Sequence, residues 1–297
     1  MIMSPRLLHG LVGLVFSTAT VCAQSSVWKV TRGTSTLYLG GTCHLLRAED
    51  FPLPGEFDVA FAASTKLVFE TDITRLQSPE MHEVVATRGM FTDGTTLQKV
   101  LTPAAWKATQ AWSEKAGLPI EQISRMRPWM FTVVMTMIEL QKLGISAQGV
   151  DVHYSNRASA AGKSVGELEP FEQHLNFLTR LGAGHESEMI VQSIDEMGDM
   201  PEKMNGLLAA WKAGDVAKLD EFMLKDFREK YPSIYKELLV DRNKAWMPKV
   251  EALLKTAEVE FVLVGAGHIP GREGLLAQLR ARGYAIEQIK APANAKK

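Results

Sequence analysis

Residues 259–267 read VEFVLVGAG, an almost unbroken series of β-branched and apolar side chains that stops at glycine, with His268 immediately after it. A short apolar run of this composition, closed by a turn signal, is the clearest strand in the chain. The same ending occurs at residues 38–44, YLGGTCH, where an apolar run meets Gly40 and Gly41 and then His44. Two strands from opposite ends of the chain therefore both terminate in a Gly-x-x-His, Gly41 to His44 and Gly265 to His268.

The remaining segments supply the layers such strands need. VWKVTRGTSTLYLGG reads as a hairpin around RGTS, and KLVFETD (66–72), KSVGELE (163–169) and YAIEQIK (284–290) are further short strands. Helical spacing fills the intervals. Phe57, Ala60 and Phe61 follow a turn-rich stretch, and Thr102, Pro103 and Gly117 mark the cap, first residue and stop of a helix. PWMFTVVMTMIELQKLG is an apolar helix ending at Gly144, with methionines suited to core packing. The alternation predicts an α/β (α+β) fold, with a central, mostly parallel or mixed β-sheet flanked by helices and a long helical middle segment. Residues 24–297 are expected to form one domain, with a helical subdomain at about 78–160.

Residues 1–23 have the three parts of a secretory signal peptide: Arg6, an apolar run over 7–21, and a cleavage site at Val21, Cys22 and Ala23. The run is short and interrupted for a membrane span. Export to the periplasm or the extracellular space is expected, with no stable membrane anchor after cleavage. Cys43 would then remain alone, without an internal disulfide. Lys plus Arg number 33 against 34 Asp plus Glu, so the basic excess of a nucleic-acid binder is absent.

Four strand ends carry the chemistry. If the strands run parallel, His44, Glu70, Glu169 and His268 face one crevice beyond their carboxyl ends. Gly40, Gly41, Gly265 and Gly267 allow sharp turns there and leave room beside the histidines. The chain contains its own control: Gly182 and His185 match the same four-residue pattern, but follow helical spacing and read as a break between helices. Two histidines and a carboxylate form a frequent catalytic set for a divalent metal, here His44, Glu70 and His268, with Glu169 as base or supporting partner. A His–Glu pair activating water without metal remains the alternative. Other motifs fail: HEVVA has Ala86 where a zinc-protease helix needs its second histidine, RASAAGKS begins with Arg157 in place of the glycine of a phosphate loop, and no Gly-x-Ser-x-Gly occurs. Cys43 reads as a nucleophile or, more simply, a small buried hydrophobe. Arg242 and Asn243, in DRNKAW, read as a solvated helix face or as an anion or peptide clamp.

YLGGTCH, LVFETD, GKSVGELEPFEQ, DRNKAW and VLVGAGHIPGREGLLAQL occur in the order and spacing of the TraB/PrgY/GumN family, which includes the Tiki proteases, and the chain resembles that family over nearly all of residues 24–297. The resemblance implies a metal-dependent protease whose two Gly-x-x-His motifs and glutamate fall at Gly41 to His44, Gly265 to His268, and Glu70. It also brings Glu169, Arg242 and Asn243 to the site, and implies Mn²⁺, Co²⁺ or Zn²⁺ as cofactor and a peptide or protein as substrate; Arg242, Asn243, Gly41 and Gly267 are the residues expected to contact that substrate. A fold similar to erythromycin-esterase-like and ChaN-like proteins is implied as well. Pheromone-shutdown members, thought to bind or sequester peptides, make a non-catalytic ligand-binding protein the competing expectation.

Overall fold

In the computed structural model, which describes residues 24–146 and 148–290, the strand expected at 259–267 lies inside a six-stranded sheet. Residues 1–23, where a signal peptide is expected, and the tail APANAKK lie outside the described residues. The strands are β1 (Gln24–Arg32), β2 (Ser35–Thr42), β3 (Lys66–Phe69), β4 (Ser164–Glu167), β5 (Glu260–Gly265) and β6 (Ala285–Lys290). Their order across the sheet is β4-β3-β5-β2-β1-β6. The pairs β4–β3, β3–β5 and β5–β2 are parallel, whereas β2–β1 and β1–β6 are antiparallel. The sheet is mixed, with the four strands that precede the candidate residues forming its parallel part.

Every residue of β5 is buried, as a central strand covered on both faces requires. Phe261 and Leu263 enter one core with Leu67, Phe69 and the helices Gly55–Ala63, Val150–Ala160 and Met200–Ala213. Val262 and Val264 alternate to the other face, where Trp246, Val250, Leu275 and Leu279 of the helices Arg242–Leu253 and Leu275–Ala281 cover them. Gly40 of β2 has a packing reason for its identity. A Cβ there would come within 2.9 Å of the Leu263 and Phe261 side chains on the neighbouring strand.

The helical middle segment builds a third core from Leu97, Trp106, Trp112, Ile123, Phe131, Met135 and Ile190. Its helices begin and end where local chemistry directs. Thr102 Oγ1 accepts the Ala105 N–H at 3.3 Å, Pro103 opens the helix Pro103–Ala116, and Gly117 closes it at φ 68°. The helix Val150–Ala160 instead packs Val150, Tyr154 and Ala158 against the sheet. Two stretches, Asp220–Lys225 and Lys236–Asp241, are π-helical, a rare geometry that recurs at functional sites. Among the described residues no helix is long and apolar enough to cross a membrane.

Candidate functional site

Because β4, β3, β5 and β2 are parallel neighbours, their carboxyl ends open on one edge, which presents Glu169, Glu70, His268 and His44. The pairing continues past the strands: Leu168 N–H donates to Phe69 O at 2.9 Å and Glu169 N–H to Glu70 O at 2.8 Å. Glu70, Glu169 and His268 are buried, while the His44 side chain is 60% exposed at the mouth.

Arg242 joins these residues. Its Nη2 donates to Glu70 Oε2 and to Glu169 Oε1, both at 2.6 Å, and its Nε donates to Glu169 Oε2 at 3.2 Å. Nη1 donates to the Leu238 carbonyl and to His268 Nε2, each at 3.2 Å. Trp246 Nε1–H and His174 Nδ1–H complete the shell of Glu169, at 3.1 and 2.9 Å. The solvated-face reading of Arg242 and Asn243 therefore does not hold, since both are buried beneath the strand ends. The helix is turned inward by two carboxylates that only the folded sheet brings together.

The two imidazoles are oriented by opposite kinds of partner. His268 Nδ1 meets Asn243 Oδ1 at 2.7 Å, while Asn243 Nδ2 donates to the carbonyls of His268 and Glu273. The amide oxygen can only accept, so His268 carries its proton on Nδ1 and keeps a lone pair on Nε2. Burial pushes its pKa down to about 3. His44 Nδ1 faces Asp151 Oδ2 at 2.8 Å, and Thr42 Oγ1 donates to the other Asp151 oxygen at 3.0 Å. The Asp151 charge raises His44 to about 9.

Burial opposes ionisation of Glu70, yet the positive charge around it, from His268 and Arg242 first, holds it well below the usual carboxylate range. With His268 neutral above about pH 3, the Arg242 guanidinium and the His44 imidazolium are the cations that act on Glu70 at neutral pH. Glu169 is lowered as well: burial is outweighed by its hydrogen bonds from His174 and Arg242.

Glu70 Oε1 accepts the Gly265 N–H at 2.6 Å and lies 3.7 Å from His268 Nε2. A Cβ on Gly265 would sit 3.0 Å from His44 Nε2 and 3.2 Å from Glu70 Oε1. Glycine at this position thus keeps open the space between histidine and carboxylate. Gly41 serves the packing instead, since its carbonyl accepts from Trp211 Nε1 at 2.7 Å and a Cβ on it would press on the Ile269 side chain at 3.1 Å. Gly267 abuts Met223 and Leu224.

Among the described residues, Glu70, Glu169 and His174 form a group that could hold a metal ion, with ligand atoms all within 4.8 Å of one another. Its centre is taken by Arg242, whose Nη2 bonds both carboxylates and lies 3.4 Å from His174 Nδ1. The expected trio His44, Glu70 and His268 is less tightly gathered. Its charge is also less satisfied, because the Glu70 oxygen on that side has a single backbone donor and a neutral imidazole nearby. Cys43 packs against the sheet core, and burial pushes its thiol far up, which leaves it a hydrophobe.

Sequence reasoning missed Asp151, His174 and Trp246. Trp246 lies four residues after Arg242 on one helix face, a spacing that could have revealed it. His174 follows Glu169 by five residues. Asp151, in the first turn of a helix, resembles any acidic residue near a helix start.

The model of the TraB/PrgY/gumN family matches residues 26–288. Metalloprotease TIKI2 of Xenopus tropicalis is 24% identical, over 90% of this chain and 60% of its own length. Metalloprotease TIKI1 is 23% identical both in Danio rerio, where the match covers 64% of the relative, and in Homo sapiens, where it covers 62%. The chain thus spans less than two thirds of the curated relatives it matches. No solved structure matches it.

Proposed function

The chain belongs to the TraB/PrgY/gumN family, and from that premise we propose that it is an exported, metal-dependent hydrolase of peptide bonds. One observation carries the reading: two histidines, each with Nδ1 fixed by its own partner, bring Nε2 to the same side of an ionised, buried glutamate. The donor chemistry fits a divalent cation once Arg242 Nη1 gives up His268 Nε2, because carboxylate- or amide-supported imidazoles are the usual metal ligands. His44, Glu70 and His268 would hold Mn²⁺, Co²⁺ or Zn²⁺, which when bound supplies Lewis acidity and lowers the pKa of water.

The protein's own groups do the rest. Asn243 and Asp151 set the two tautomers. Arg242 keeps Glu70 ionised at low dielectric cost, and Glu169, with its oxygens already engaged by Arg242, His174 and Trp246, positions that arginine rather than taking a proton. Open space over Gly265 admits a substrate carbonyl beside His44. Export rests on the sequence of residues 1–23, and the substrate would be a peptide or protein met outside the cytoplasm.

A second reading follows from Arg242 itself. Its Nη2 already neutralises the metal-capable group Glu70, Glu169 and His174, which suits a crevice that binds peptide without turnover. Metal analysis of the purified chain, combined with mass-spectrometric digestion of a peptide library, separates the two. The hydrolase reading expects stoichiometric Mn²⁺, Co²⁺ or Zn²⁺ and a loss of cleavage of more than about 100-fold in His44→Ala and His268→Ala. Equal metal content and equal cleavage in wild type and both variants would sink it. Saturable peptide binding that survives Glu70→Gln, without cleavage by the wild type, would favour the second.

A further inference from the structure

The two π-helical stretches both contribute to the wall of a cavity that the hydrolytic reading does not use. Its volume is about 550 Å³, within the range of small-molecule and side-chain pockets. Phe222 and Met223 come from the first stretch and Leu238 from the second, with Phe227 and Ile234 between them; Thr132 contributes from the helical segment.

Two of these wall residues touch the site directly. Met223 Cε lies 3.4 Å from the position a Cβ on Gly267 would take, next to His268. The Leu238 carbonyl accepts from Arg242 Nη1. Met223 and Leu238 are therefore shared walls, one side lining the cavity and the other resting on the strand-end cluster.

We propose that this cavity is the subsite that takes large apolar side chains of a polypeptide substrate, on one side of the bond to be cleaved; the proposal rests on the hydrolase reading. Three features of the wall point to a ligand of this kind. Phe222 is 41% exposed, the aromatic among the exposed large apolar side chains of the described residues. Met223 and Met189 give the wall adaptable surface able to accept more than one apolar shape. Lys203, Lys225 and Glu221 place charges of both signs at the rim, useful to peptide amides and carbonyls and of no use to a hydrocarbon chain. A second cleft adjoins the cavity, sharing the wall residues Gln192, Glu196, Lys203 and Tyr231.

The test uses the metal-loaded chain and two matched hexapeptide libraries, one with leucine or phenylalanine and one with serine at the scanned position. Wild type should prefer the apolar set, and Phe222→Ala and Leu238→Asn should each lower that selectivity by about tenfold, mainly through KM, with Phe222→Leu restoring it. If the wild type cleaves neither library, fluorescence anisotropy of a labelled leucine-containing hexapeptide on Glu70→Gln reads the same site, and the two changes added to that variant should weaken binding by the same factor. Cleavage without apolar preference, or with a preference that both variants retain, overturns the subsite and leaves the hydrolase reading intact. Apolar, Phe222-dependent binding without cleavage upholds the subsite and overturns the hydrolase. Failure of the labelled hexapeptide to bind, or tighter binding of dansyl-undecanoate than of any hexapeptide, overturns the subsite as a peptide site.

Discussion

Asp151 and Asn243 hold the two site histidines in the same way but charge them differently. The carboxylate raises His44 to about 9, while beside the neutral amide burial lowers His268 to about 3. At pH 7.5 the metal-free chain therefore presents one imidazolium and one imidazole. A metal can bind His44 only after it loses its proton, so binding at pH 7.5 should release close to one proton per ion, and the release should fall away as pH rises through about 9. Calorimetry in buffers of different ionisation enthalpy measures this, and a proton count near zero would contradict the assignment. Asp151→Asn should abolish the release and weaken metal affinity about 10- to 100-fold. The same shift sets a sign for stability. A folded pKa above the unfolded one stabilises the chain below pH 6.5, and that contribution is lost as pH rises through about 9. The melting temperature of the metal-free protein should fall across that window and do so less in Asp151→Asn. The change should be small, because the His44 side chain is largely exposed.

At the scale of elements, the site depends on where strands stop and helices begin. Gly149 precedes the helix Val150–Ala160, and a Cβ there would lie 2.1 Å from the His44 carbonyl oxygen. The obstruction is backbone, so no rotamer relieves it. Gly149→Ala should cost at least about 2 kcal/mol and also displace Asp151 from His44. Chemical denaturation and metal titration read the two effects, and a variant with wild-type stability would show that the loop can yield. Features encoded within a few residues were legible beforehand: the hairpin, the buried β5, the cap at Thr102, and the strand endings at His44, Glu70, Glu169 and His268. Features made by remote pairing were not. Asp151 meets a histidine 107 positions away, and Arg242 meets carboxylates 172 and 73 positions away. Nothing in DRNKAW distinguishes a helix facing water from one facing two buried glutamates. The two π-helical stretches were equally hidden, since neither glycine nor proline marks them.

At the scale of the whole molecule, the helical segment carries a core separate from both faces of the sheet. Phe131→Ala in that core should cost about 3–5 kcal/mol. Hydrogen exchange should then accelerate in the helices Pro103–Ala116, Pro128–Lys142 and Glu186–Glu196, while β5 amides stay protected. Uniform acceleration would instead mean that the cores melt together. The strand order has a further consequence, for biogenesis. β2 and β3 share no edge; β5, which follows them by nearly 200 residues, is the strand that joins them. A chain emerging from the ribosome therefore makes both outer walls of the site long before the strand that closes it. Until that strand arrives, Glu70 has no Gly265 amide and no His268 beside it, and the strand-end cluster stays incomplete in the nascent chain.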